Sequence, residues 1–256
     1  MQKSDVTISR EPLLEVIACS VTDAIEAQRG GAGRLEIIRD FQRGGLTPPL
    51  ELVKDILNAV KLPVRVMLRE SDSYEIAGEA AREAECEKLC RASTQFSELE
   101  VDGVGLGFLR RREIDVQLTE QVLSHAPNLS ATFHHAFEET ADPVRAIRAL
   151  KGLKQVDRIL TSGGAGNWQE KIERLSQYSA EARSQIEILA GGGMDAESIP
   201  MICQLTNIRE FHVGRAAREP ASASGVVRSE LVKALVETAA NLQVGKGGLP
   251  PLDRRP

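Results

Sequence analysis

Short apolar runs alternate with longer amphipathic stretches along nearly the whole chain. LLEVIAC (13–19), RLEIIRD (34–40), PVRVMLR (63–69) and DGVGLGF (102–108) have the length and residue types of strands. So do LSATFHHAF (129–137), DRILTSG (157–163), QIEILAGGG (185–193) and IREFHVG (208–214). Between them the apolar positions take on helical spacing. A helix follows the first run, with Ser20 and Asp23 spaced as a capping box. The next opens near Thr47 as N-cap with Pro48 in its first turn. A long helix is predicted from about residue 75 to 99, and DVQLTEQVLSHA forms another. Asp142 followed by Pro143 caps the fifth helix. Helices near 169–178, over DAESIPMICQL and over RSELVKALVETAANL complete the series.

Strict strand–helix alternation implies a parallel sheet, and eight units in about 250 residues is the size of a single-domain α/β fold, the parallel (β/α)8 TIM-type barrel. A doubly wound open sheet is the competitor, but no G-x-G-x-x-G turn follows the first strand. The segments AGRLEII, VDGVGLG, VDRILTS and NIREFHV enter alternate strands similarly, as in a barrel built from duplicated units. The expected limits are a short arm over 1–12, the barrel over 13–240 and a loosely ordered Gly/Pro-rich tail over 241–256.

Side chains alternate across a strand, so each strand has a face under the helices and a face in the lumen. On the third strand Val64, Val66 and Leu68 belong under the helices, which turns Arg65, Met67 and Arg69 inward. The same argument places Glu15, Ile17 and Cys19 on one inward face, Glu36 and Asp40 on the next, and Glu210, His212 and Gly214 on the last strand. In ATFHHAF, His134 joins the polar interior while His135 points away, with the phenylalanines or at the rim; in a regular strand the two cannot chelate one ion. The lumen thus collects Glu15, Glu36, Glu210, Arg65, Arg69, His134 and His212, which need partners there. They are either a self-satisfied ion-pair network or a site, and Arg69, His134 and His212 fall at the C-terminal strand ends where barrel active sites lie.

Glycine clusters fall at the same ends. TSGGAG with Ser162, Gly163 and Gly164, and GGG with Gly192 and Gly193, either cradle an anion through backbone amides or are tight turns that need positive φ. No H-x-H on a strand, C-x-x-C or H-E-x-x-H occurs. Cys86 and Cys90 lie one helical turn apart and read as packing residues before metal ligands, Cys203 reads as core, and His125 sits near a helix end.

Net charge of −5 and pI near 5.6, with basic residues scattered, argue against nucleic acid and acidic membranes as partners. No apolar run is long enough to span a bilayer or to act as an export signal, which makes the cytoplasm the default and the four cysteines free thiols.

At the strand ends the chain resembles the CutC family of copper-homeostasis-associated barrel proteins. The matching stretches are LEV (14–16), RGGAGRLEI (29–37), GGLTP (44–48), VMLR (66–69), TFHHAF (132–137), DRILTSGG (157–164), GGG (191–193) and REFH (209–212). The resemblance implies the barrel, a cytosolic location, a homodimer and a part in Cu(I) handling. It also implies two cysteines as Cu(I) ligands, at positions where this chain has Ile17 and Ile38; Cys19 leaves one weak thiol ligand nearby. His135 replaces a usual arginine, and the loop after the third strand is cut to RESDS. Copper handling is therefore one reading. The alternative is a metal-independent barrel enzyme of lyase or isomerase type acting on a small anionic or phosphorylated metabolite. There Glu15, Glu36 and His134 serve as acids and bases while Arg69 and His212 stabilise charge. A third reading is a barrel that has lost its ancestral ligand.

Overall fold

Eight parallel strands close on themselves, and a helix follows each. The strands are β1 (Leu13–Ala18), β2 (Arg34–Ile37), β3 (Val64–Met67), β4 (Gly103–Leu106), β5 (Ser130–Phe133), β6 (Val156–Thr161), β7 (Glu187–Ala190) and β8 (Glu210–Val213), joined in the cyclic order β1-β8-β7-β6-β5-β4-β3-β2. The helices are α1 (Val21–Arg29), α2 (Leu50–Ala59), α3 (Glu79–Glu98), α4 (Val116–Ser124), α5 (Pro143–Lys151), α6 (Trp168–Ala182), α7 (Ser198–Leu205) and α8 (Ser229–Ala240). The expected (β/α)8 barrel is the fold observed. The computed structural model describes residues 11–241; the expected arm and tail, apart from residues 11, 12 and 241, lie outside the described residues.

The main core is the layer between strands and helices. Val64, Val66 and Leu68 are fully buried in it, as the alternation on β3 requires. Helix α5 shows the matching surface: Asp142 caps it by accepting a hydrogen bond from the Arg145 amide at 3.0 Å, Pro143 occupies its first turn, and Ala146, Ile147 and Leu150 face inward. Burying Ile147 and Leu150 stabilises the fold by roughly 1.5–3 kcal/mol each. A second, small apolar cluster, Ile17, Ile38 and Met67, lies in the lumen, with Cys19 and Phe41 packed against it.

Gly103, Gly105 and Gly107 share the lumenal face at β4, where a side chain has no room. A Cβ at Gly103 would meet the Ser130 carbonyl at 2.5 Å, one at Gly105 the Glu36 carboxylate at 3.1 Å, and one at Gly107 the His134 ring at 2.5 Å. The bare strand lets charged side chains from its neighbours cross the barrel.

Local expectations fail where tertiary contacts claim the residue. Ser20 caps α1 by accepting from the Asp23 amide at 3.1 Å, but Asp23 does not return the bond. Its carboxylate accepts from the Cys19 and Val227 amides and from Arg218, tying β1 to the short hairpin of Arg218–Glu219 with Val226–Val227. Thr47 is not a cap. Helix α2 starts after Pro49, and the Thr47 hydroxyl accepts from the Arg69 amide at 2.9 Å and donates to the Arg69 carbonyl at 3.0 Å, clamping the end of β3. Helix α3 begins at Glu79, because the chain before it pairs with the segment after β4: Glu75 bridges to Leu109, whose amide donates to the Tyr74 carbonyl at 2.8 Å. Asp40 does not share the lumen with Glu36: β2 ends at Ile37, and Asp40 turns with φ 51° to the rim, where it pairs with Arg39 at 2.7 Å.

Candidate functional site

The lumen is layered. At the base, Arg34 binds the carboxylates of Glu15 and Glu210, and Arg158 holds Glu210 through two bonds of 2.6 and 2.9 Å. Arg65, fully buried, reaches Asp157 through two bonds of 2.7 Å and Thr132 through one. Charges at such depth persist only when paired in this way. Asp157 and Arg158 are adjacent in sequence yet both face inward, because the register between β5 and β6 shifts at Ala131/Thr132. Strand alternation excludes that arrangement. Arg34, by contrast, lies two residues before Glu36 on one face, and the sequence carried that signal.

Above this base, β1, β2 and β8 bring Glu15, Glu36 and His212 together. Glu15 Oε1 lies 2.7 Å from His212 Nδ1, and His212 Nε2 is 3.7 Å from Glu36 Oε2. Burial by itself would raise Glu15, but Arg34 and His212 outweigh it and hold the carboxyl well below its usual range. Among the described residues Glu36 has no arginine partner, and burial lifts it above the usual carboxylate range. His212 is buried too, which disfavours its charged form, yet the two carboxylates prevail and raise it.

These groups open onto a cavity of about 550 Å³ at the C-terminal mouth of the barrel. Arg69 and His134 reach the same cavity from β3 and β5. Arg69 is 6% exposed, and its terminal nitrogens donate only to carbonyls: Arg43 at 3.2 Å, Gly45 at 3.3 Å and Asp72 at 2.7 Å. Its Nε has no partner among the described residues. His134 accepts a hydrogen bond from the Ala136 amide at Nδ1, 3.2 Å away, so its ring hydrogen belongs on Nε2, which is buried without a partner. Burial, reinforced by Arg69, pushes its pKa down to about 3. His134 is therefore a neutral donor at physiological pH.

His135 takes the rim, one of its two expected places, and not the layer under the helices. β5 ends at Phe133, and His135 opens a short 3-10 helix that turns it back to the mouth, beside Glu138 at 3.1 Å. Both histidines border the cavity, a consequence of the strand stopping four residues earlier than its apolar run. Tyr74 lies outside the sequence reading. Its ring lies 4.8 Å from the Arg69 guanidinium and 5.1 Å from the His134 ring, delivered by an irregular loop with no periodicity to read.

The two glycine loops differ. The amides of Ser162, Gly163 and Gly164 bind Glu138, Thr161 and the Ser162 hydroxyl, so a carboxylate of the protein itself occupies that cradle. Burial would raise Glu138, but His135 and these donors pull it down to about 2. Gly192 and Gly193, with φ of 80° and 96°, line the mouth cavity.

The CutC family model matches residues 12–217. The chain belongs to the CutC family. A CutC-family protein of Xanthomonas axonopodis pv. citri is 32% identical over 219 residues, covering 85% of this chain and 86% of that one. The mouse copper homeostasis protein cutC homolog is 31% identical over 81% of this chain and 75% of its own. The crystal structure of a CutC protein from Streptococcus agalactiae superposes with a TM-score of 0.69 at 29% identity, covering 79% of this chain and 98% of that one. Phosphoribosylanthranilate isomerase of Pyrococcus furiosus superposes at 0.58 with 12% identity over 90% of this chain and all of that one, a likeness of fold alone.

This CutC chain does not fit a Cu(I) dithiolate at Ile17 and Ile38. Both are branched alkyl groups packed on Met67 in the lumenal cluster, and neither offers a donor atom. Cys19 is half-buried, its sulfur accepts from Arg218 at 3.6 Å, and burial pushes its thiol up to about 11. The sulfurs of Cys86 and Cys90 lie 3.8 Å apart between α3 and α4, with burial and Cys86 raising Cys90 to about 12, and Cys203 is buried as core. Among the described residues no helix is long and apolar enough to cross a membrane.

Proposed function

We propose that this CutC-family protein binds a small anionic metabolite at the mouth of its barrel and performs acid–base chemistry on it with its own side chains. The observation that carries this reading is Arg69. The other buried arginines among the described residues, Arg34, Arg65 and Arg218, and the half-buried Arg158 each meet a carboxylate. Arg69 makes no ion pair among the described residues and meets three neutral carbonyls and the Tyr74 ring, on the wall of the cavity. A buried charge without a counter-ion is costly, and an anionic ligand supplies one. Gly192 and Gly193 extend the same wall with exposed backbone. The name of the mouse relative supports a part in copper homeostasis, exercised here through the metabolite rather than through a dithiolate site. The resemblance read from the sequence adds to this proposal a cytoplasmic homodimer.

Inorganic phosphate tests the reading. It should raise the melting temperature of the wild type more than chloride does at equal ionic strength, because mass action rewards specific binding and screening does not. In Arg69→Met the difference should vanish while the variant remains folded. Equal shifts for both salts, or an unchanged phosphate effect in the variant, would refute it.

A further inference from the structure

We propose that the mouth cavity catalyses proton transfer at a carbon next to a carbonyl group, with Glu36 as base and the Arg69–His134 pair as donors to the carbonyl oxygen. The proposal deepens the anionic-ligand reading and rests on it.

The donors are the first observation. Three buried side-chain nitrogens lack a partner among the described residues, Arg69 Nε, His134 Nε2 and Arg218 Nε. Of these residues Arg69 and His134, 6% and 3% exposed, line the mouth cavity and Arg218 does not, and both Arg69 and His134 pack against the ring of Tyr74. A buried donor without an acceptor costs about 1–3 kcal/mol, and such groups in a native fold call for a functional account. One of the two is cationic and the other neutral. An oxygen that is fully anionic before reaction would be met better by two cations. A carbonyl oxygen arrives neutral and gains its charge only in the transition state, which suits a neutral N–H and a single guanidinium held in advance. Both nitrogens are buried and the Tyr74 ring packs against both groups, so the proposal requires that ring to move aside for the oxygen to reach them.

Glu36 is the second. It lines the same cavity, accepts no hydrogen bond among the described residues, and sits above its usual range through burial. A desolvated carboxylate without hydrogen-bond donors is a stronger base than one in water. Gly105 leaves the space its carboxylate occupies. His212 is the third. Glu15 fixes its Nδ1 and thereby turns Nε2 toward Glu36, so Glu15 is a positioning residue and His212 balances the charge of Glu36 before the proton moves.

The step balances within the site. The Glu36 carboxylate takes a hydrogen from the carbon beside the carbonyl. The C–H electron pair becomes the C=C bond, and the carbonyl π pair moves to oxygen, giving an enolate held by His134 Nε2–H and Arg69 Nε–H. In the return the oxygen pair re-forms the C=O bond and carbon recovers a proton from the Glu36 carboxylic acid. No oxidant or second reactant enters. The substrate class is an anionic carbonyl compound with hydrogen on the adjacent carbon. Ile17, Phe41, Leu160 and Met194 on the cavity wall admit an apolar substituent larger than a methyl group.

The experiment pairs two readouts. Oxalate, a planar mimic of an enolate acid, is tested by melting shift. Exchange of C–H for C–D is followed by proton NMR in D2O for 2-oxobutyrate and dihydroxyacetone phosphate. Oxalate should stabilise both wild type and Glu36→Gln, which also shows that the variant is folded. The wild type should exchange at least one carbonyl probe, and Glu36→Gln should lose about a hundredfold or more of that rate. Oxalate binding with neither probe exchanged faster than in buffer overturns the proton-transfer proposal and leaves the anion site standing. Exchange undiminished in Glu36→Gln overturns the assignment of the base. Absence of both oxalate binding and exchange overturns this proposal together with the reading it rests on.

Discussion

Replacing Arg34 by methionine measures what charge pairing contributes inside the barrel. Arg34 is 2% exposed and serves Glu15, also 2% exposed, and Glu210 at 3.0 Å. Methionine keeps most of the stem's volume, so the loss is electrostatic. Glu210 keeps both bonds from Arg158, whereas Glu15 keeps only His212. Removing one partner of a buried pair costs about 3–5 kcal/mol. The surviving His212 contact puts this case at the lower end, about 3 kcal/mol. At about 2–4 °C per kcal/mol for a chain of this size, the melting temperature should fall by roughly 6–12 °C. Arg65→Met is the control. Asp157 and Asp102 are 33% and 41% exposed, so water takes over from the lost guanidinium and the expected cost is about 1–2 kcal/mol. Acid adds a second check. The fold holds Glu15 below its ordinary value of 4.5, so its contribution is present above that pH and is lost as pH falls through the folded value. Arg34→Met weakens the hold, and the gap between variant and wild type should narrow from pH 7 to pH 4. Urea denaturation at both pH values reads the difference. A cost below about 1 kcal/mol at pH 7, no narrowing in acid, or an equal cost for Arg65→Met would refute the account.

Gly107→Ala should destabilise the protein by about 1–3 kcal/mol, since the new Cβ would stand 2.5 Å from His134 Nδ1 and 2.9 Å from the Ala136 Cβ; denaturation within experimental error of wild type would show that the ring moves freely. By NMR of the imidazole protons, His134 should stay neutral from pH 8 to pH 5 while His212 titrates above its ordinary 6.5. The sign for stability follows: the unfolded chain binds a proton at His134 below 6.5 that the fold refuses, so this group drains stability as pH falls from there, and a His134 signal titrating near 6.5 would contradict its burial. Competition with a chromogenic chelator should reveal weak, non-stoichiometric Cu(I) binding, and a tight site of one ion per chain would overturn the reading of Ile17 and Ile38. Light scattering at micromolar concentration should report a homodimer, and a monomer would end that expectation.

Most of the barrel was legible before any coordinates. Apolar runs of strand length between helical stretches, a capped start at Asp142 and the absence of a dinucleotide turn are local properties, and they require only near neighbours to be interpreted. Alternation likewise turned Glu15, Glu36, Arg65, Glu210 and His212 inward, because a pleated strand leaves each residue one of two faces. What the sequence could not carry is where strands stop and how neighbours register. His135 reaches the mouth because β5 ends at Phe133, and an apolar run does not mark that end. Asp157 and Arg158 both face the lumen through a shift between two strands, a property of the pair and of neither strand alone. Ser162 and Gly163 spend their amides on Glu138 and Thr161, so the same glycine-rich spelling makes a closed turn after β6 and lines the open cavity after β7. Partner choice is a matter of three-dimensional neighbourhood. Only the closed barrel decides that Glu15 meets an arginine and Glu36 does not, and that difference in neighbours sets two identical side chains on opposite sides of their ordinary acidity.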